Sequence, residues 1–218
     1  MLTRFLQRLL ASLNPAPAPA GQPGAGSPGG SAPAPAPRPE QHLVRGFPVQ
    51  VLNERPDIQT ADALDRLSRA LDLIDRLAPE RLGWLREDLA TLVVQRFPCR
   101  AAFYPDQRAC LVELTFLVNP RHTPAEVASS IVHEGVHARI AAGRGVPGRP
   151  PSKAAEERLC REAEAEFGER LGDEPGAEVV RERARQSLLL ADAEVAPDID
   201  WSVAARRVAD ADRQAGPG

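Results

Sequence analysis

His133-Glu134-Gly135-Val136-His137 lies inside the largely apolar run Ser129 to Ile140, and it constrains this chain more than any other stretch. On a helix, residues four apart sit one turn above each other on the same face, so His133 and His137 aim two imidazole nitrogens at one point. Glu134, beside the first histidine, reaches a water at that point rather than the point itself. The helix has its own signals. Thr123 is placed to be its N-cap, Pro124 its first residue, and Glu126 the partner in a capping box. Gly143 and Gly145, followed by Pro147, supply the stop. These signals predict a helix from Pro124 to Ala142.

Two imidazoles with such a carboxylate form part of a zinc site, which needs a third protein ligand and keeps a fourth position for water. A second helix is predicted from Lys153 to Leu171, opened by Pro150-Pro151-Ser152 and closed by Gly172. Its apolar stripe is Leu159, Cys160, Ala163, Phe167 and Leu171, with Glu157 and Glu164 at one edge. Glu162 and Glu166 point away, and Glu156 sits in the first turn, where it favours the helix dipole. Glu157, Glu164 and Glu156 are all candidate ligands, and Cys160 is a candidate thiolate.

The pattern resembles the H-E-x-x-H signature of the zincin metallopeptidases. No histidine occurs from Ala138 to Arg149, which sets the chain apart from the metzincin branch. It is closer to the gluzincins, the thermolysin-like branch, which take a glutamate from a second helix about twenty residues on. Glu157 follows His137 after nineteen intervening residues. The resemblance therefore implies Zn²⁺ on His133, His137 and Glu157, Glu134 as general base, and a peptide or protein substrate. It implies an α+β, zincin-like fold: a small mixed sheet on the active-site helix, with further helices C-terminal. It also gives Leu111 to Leu117 the part of the strand along the cleft that pairs with extended substrate. One departure stands out. Gluzincins carry an aspartate four residues after the ligand glutamate to orient a histidine, and Arg161 stands there instead. Glu157-Arg158-Leu159-Cys160, with His-Ala-Arg ending the first motif, is similar to an uncharacterised bacterial zincin-like group.

The rest of the chain frames this site. Residues 1–14 make a short amphipathic helix, with Leu2, Phe5, Leu6, Leu9, Leu10 and Leu13 on one face and Arg4 and Arg8 on the other. That pattern suits an interfacial contact with an anionic membrane or a docked partner, and it is too short to span a bilayer. Residues 15–40 hold nine prolines among Ala and Gly, the composition of an extended tether, and the folded domain is expected over 41–218. A net charge of −3 gives no sign of nucleic-acid binding, and three irregularly spaced cysteines point to reduced thiols in a cytoplasm. The expected location is cytoplasmic, with peripheral contact at the inner membrane surface through residues 1–14.

Within the domain, Phe47 to Leu52, Leu92 to Phe97 and Cys110 to Val118 read as strands. Thr60 caps a helix ending at Pro79, Glu80 to Leu89 continues with Trp84 as core, and helices follow at Glu178 to Ala191 and Asp200 to Arg213. Tyr104, His122 and Arg139 are candidate donors to a developing oxyanion. Two other function classes stay open. In a non-catalytic zinc scaffold, Cys160 would close the fourth position. In a zinc amidase or deformylase, Cys110 would be a ligand.

Overall fold

The computed structural model describes residues 38–144, 151–196 and scattered helical positions within 203–210. The amphipathic segment 1–14, most of the tether and most of the helix expected over Asp200–Arg213 lie outside the described residues.

The chain enters a five-stranded sheet at β1 (Glu40–Val44) and turns into β2 (Phe47–Leu52). Arg45 and Gly46 both take positive φ (50° and 82°), which is the conformation a two-residue hairpin turn requires. β1 was not visible as a strand in the sequence, and the Arg-Gly pair was the available signal. α1 (Thr60–Leu77) and α2 (Pro79–Asp88) then cross over to β3 (Thr91–Gln95). Thr60 is the first residue of α1 rather than its cap, the N-cap being Gln59. β4 (Ala101–Tyr104) and β5 (Ala109–Glu113) close the sheet in the order β1-β2-β3-β5-β4. β2, β3 and β5 run parallel, whereas β1 and β4 are antiparallel edges. The sheet is therefore mixed, and the architecture is α+β.

The expected strand over Cys110–Val118 stops at Glu113, and Leu114–Val118 forms a short helix, α3. A five-residue apolar run has no periodicity to separate the two states. Glu113 decides the matter by accepting the backbone N–H of Phe116 at 2.6 Å, while Arg96 pairs with the same carboxylate. Trp84 is not core. It lies half-buried between the guanidinium groups of Arg81 and Arg139, each 4.7 Å from its ring.

The histidine-bearing helix, α4 (Pro124–Ala141), runs through the centre, and every residue from Ala125 to Gly135 is buried. Thr123 and Glu126 form the expected capping box, and Gly143 at φ 71° follows the helix end. Arg66 of α1 fixes the approach by donating to the carbonyls of Leu117, Asn119 and His122. Gly135 lets α2 close in, since a Cβ there would meet Leu85 Cδ2 at 2.6 Å. α5 (Lys153–Arg170), α6 (Ala177–Leu188) and α7 (Asp192–Val195) complete the described helices.

Gly176, at φ 89°, passes so close to the α4 cap that a Cβ would lie 2.0 Å from Thr123 Oγ1. Gly176→Ala combines a left-handed backbone strain with this clash, so a loss of about 2 kcal/mol or more is expected. A urea midpoint within error of the parent protein would contradict that packing.

Candidate metal centre

α4 and α5 meet side by side, and the meeting brings their polar residues to one point. Nε2 of His133 and Nε2 of His137 are 3.2 Å apart. Glu157 reaches between them, its Oε2 3.4 Å from His133 Nε2 and its Oε1 3.6 Å from His137 Nε2. The sulfur of Cys160, one turn further along α5, lies with a ring nitrogen of each histidine inside a 4.8 Å group able to hold a metal ion.

The other carboxylates on α5 take different positions. Glu156 Oε1 lies 2.7 Å from His137 Nδ1, behind the ring rather than in front of it. Glu164 Oε2 faces His133 Nδ1 at 3.7 Å, which leaves that buried nitrogen without a hydrogen-bond partner. Glu164 itself is 2 % exposed and is held by Arg161 at 2.7 Å, with Arg183 and Ser129 at 3.4 Å. Each imidazole therefore turns Nε2 toward the common point and Nδ1 toward a carboxylate, within hydrogen-bond distance at His137 and 3.7 Å away at His133.

The donor set fits a divalent cation. Two nitrogens facing each other at 3.2 Å cannot both donate, and a shared third centre satisfies both. Four carboxyl groups (Glu134, Glu156, Glu157 and Glu164) gather around the two rings, and Arg161 and Arg183 pair with Glu164 rather than with the three nearer the cleft. Without a cation, protons offset these carboxylates. Burial opposes charge on His133, but Glu157 and Glu164 outweigh it and push its pKa up to about 9. Burial also raises Glu157, yet the two histidines and Arg161 leave it below the ordinary carboxylate range. Cys160 moves the other way, because burial and the nearby glutamates push the thiol up. Glu157 therefore presents an ionised ligand, whereas Cys160 would have to shed a proton against local negative charge.

Glu134 is 8 % exposed, and burial holds its carboxyl above the usual range despite the two histidines. It opens onto a cleft of about 660 Å³. β4 forms one wall with Ala101, Ala102 and Phe103. Lys153, Arg161 and the α6–α7 segment, including Leu190 and Val195, form the opposite wall.

Comparison with protein-family models, curated proteins and solved structures found no match.

Three expected oxyanion donors are engaged elsewhere. Tyr104 packs edge-on against Phe97 on the far face of the sheet. His122 pairs with Glu126 at 3.0 Å. Arg139 is held by Glu87 and Asp88. The cleft strand also differs from the expectation. Leu111 and Val112 are fully buried inside the sheet, and the strand along the cleft is β4. Ala-Ala-Phe-Tyr is too short and too apolar to show a two-residue period. Cys110 is fully buried in the core and does not line the cleft. Arg100, Arg161 and Arg183 were not read as functional residues, and in an arginine-rich chain no sequence signal singled them out.

Proposed function

We propose that the chain is a zincin-like zinc hydrolase that cleaves peptide bonds. The observation that carries this reading is the convergence of His133 Nε2, His137 Nε2 and Glu157 beside a buried Glu134 at the edge of a cleft. His133, His137 and Glu157 would hold the ion, and Glu156 and Glu164 would orient the two rings. Bound zinc supplies Lewis acidity and brings the pKa of a water to about 7.

The residues of the chain do the rest. Glu134, kept basic by burial, takes the water's proton and passes it to the leaving nitrogen. β4 is an edge strand with no further strand on its outer side among the described residues, so its backbone can pair with an extended substrate. The apolar side chains along β4 and the α6–α7 wall exclude water from a bound chain. Among the described residues no helix is long and apolar enough to cross a membrane.

A second reading rests on the sulfur of Cys160. If it binds the metal together with both histidines and Glu157, all four positions are filled, the site is closed and structural, and the domain is a scaffold. Metal content separates the readings. Purified protein is expected to carry about one equivalent of zinc and to lose it in His133→Ala and in His137→Ala. Glu157→Gln is expected to lower affinity strongly, while Cys160→Ala retains the metal. Strong loss of metal in Cys160→Ala as well as in Glu157→Gln would mean four protein ligands and establish the scaffold reading instead.

A further inference from the structure

The cleft continues past the histidines. A second cavity of about 270 Å³ opens beside it, sharing His133, Glu134 and Arg161 with the first. It extends toward the start of α4, since Ser130, one turn before Glu134, is part of its wall. Arg100 from the loop before β4, Arg161 from α5 and Arg183 from α6 all face it. Its volume falls just below the roughly 300–1,000 Å³ of sites for drug-sized molecules, so it suits a terminal group.

Guanidinium-bearing residues from three separate segments line this cavity together with Glu134 and Glu164, and Glu164 is ion-paired to Arg161 and Arg183. That pairing leaves donors over. Arg183 Nη1 and Arg161 Nε are buried with no hydrogen-bond partner among the described residues. The Arg100 guanidinium lies over the Phe116 ring at 5.2 Å. Arg100 is exposed, whereas the buried donors on Arg161 and Arg183 are costly unless something accepts from them. Burial lowers the Arg183 pKa; Glu164 and Glu126 pull it up, but repulsion from Arg100 and Arg161 adds to the burial and the net direction is down. Two guanidinium N–H groups of the pocket thus lack an acceptor among the described residues, and a planar carboxylate matches a guanidinium fork.

The sheet supplies the direction. β4 runs from Ala101 to Tyr104, so its Arg100 end adjoins the arginine pocket. An extended chain pairing antiparallel with β4 brings its C-terminal end to that pocket. Parallel pairing would bring an N-terminal ammonium against three guanidinium groups. We propose that the Arg100, Arg161 and Arg183 pocket binds the C-terminal carboxylate of an extended peptide and directs cleavage to bonds near free C-termini. The cleavage half of this proposal rests on the peptidase reading above; the anion site does not.

The test uses full-length, zinc-loaded protein and calorimetric binding of three probes: N-acetyl-trialanine as free acid, the same peptide as its amide, and N-acetyl-alanyl-glutamyl-alanine amide. The free acid is expected to bind at least about tenfold more tightly than either amide, a difference of about 1.4 kcal/mol. Arg100→Ala and Arg183→Met are each expected to reduce that preference with zinc content unchanged. Arg100→Ala leaves the Glu164 ion pairs whole, so a folding defect in Arg183→Met does not remove the test. Equal binding of acid and plain amide overturns the proposal. So does tight binding of the glutamyl amide, which would mean an acidic side chain is read. Preference that survives in Arg100→Ala and in folded Arg183→Met would put the carboxylate on the metal and overturn it as well. Hydrolysis is followed in parallel. Selective binding without turnover counts against the peptidase reading and leaves the anion site standing. Turnover of acid and amide at equal rates does the reverse.

Discussion

Replacing Glu134 with glutamine is expected to leave zinc content unchanged and to lower peptide hydrolysis by about 10²–10⁴-fold. Glutamine keeps the volume and hydrogen-bonding capacity of the side chain but cannot accept a proton at neutral pH. Glu134 has no place among the ligands, because the Nε2 atoms and Glu157 face one another and the Glu134 carboxyl opens onto the cleft beside them. Its buried setting raises its pKa toward the working range of a general base. Loss of zinc in this variant would make Glu134 a ligand. Undiminished hydrolysis would remove it from the chemistry.

The second large effect is expected at Glu164. Truncation to alanine leaves Arg161 and Arg183 without their buried counter-ion and removes the carboxylate facing His133 Nδ1. Breaking one side of a buried ion pair costs about 3–5 kcal/mol, and at roughly 2–4 °C per kcal/mol the melting temperature should fall by about 10 °C. Zinc affinity should fall by about 10–100-fold through the freed ring. The pH dependence carries a sign. Burial raises the Glu164 carboxyl, but His133, Arg161 and Arg183 overcome it and hold its pKa at about 2 against an ordinary 4.5. A depressed carboxyl contributes stability in full above 4.5 and loses it as the pH falls toward 2. Parent protein should therefore shed this contribution through that window, and Glu164→Ala should not. A melting temperature within about 2 °C of the parent would mean that Glu164 does not anchor the network.

The parts of the site that were legible in the sequence are those fixed by local rules. The capping box at Thr123 and Glu126 set the start of α4, and the spacing of His133 and His137 set their common face. Ser152 caps α5 within one helix, so the positions of Glu156, Glu157 and Glu164 relative to one another followed from helical geometry. The choice among them did not. Which carboxylate comes in front of the rings and which behind depends on how α4 and α5 pack, and a single sequence carries no statement of that angle. The same holds for β4, whose four residues become an edge strand only because β5 lies beside them. The arginine pocket is built from three segments over eighty residues apart in sequence, from Arg100 to Arg183. Nothing local distinguishes those arginines from the others in the chain. Misreading Leu114–Val118 as strand has a related cause, because the deciding contact is a side-chain cap from Glu113.

Anomalous diffraction at the zinc edge shows whether His133, His137 and Glu157 hold one zinc ion. A crystal of the zinc-loaded protein should give one strong peak about 2.0–2.2 Å from His133 Nε2, His137 Nε2 and a Glu157 oxygen. A peak lying about 2.3 Å from Cys160 Sγ in place of Glu157, or the absence of any peak between α4 and α5, would contradict it.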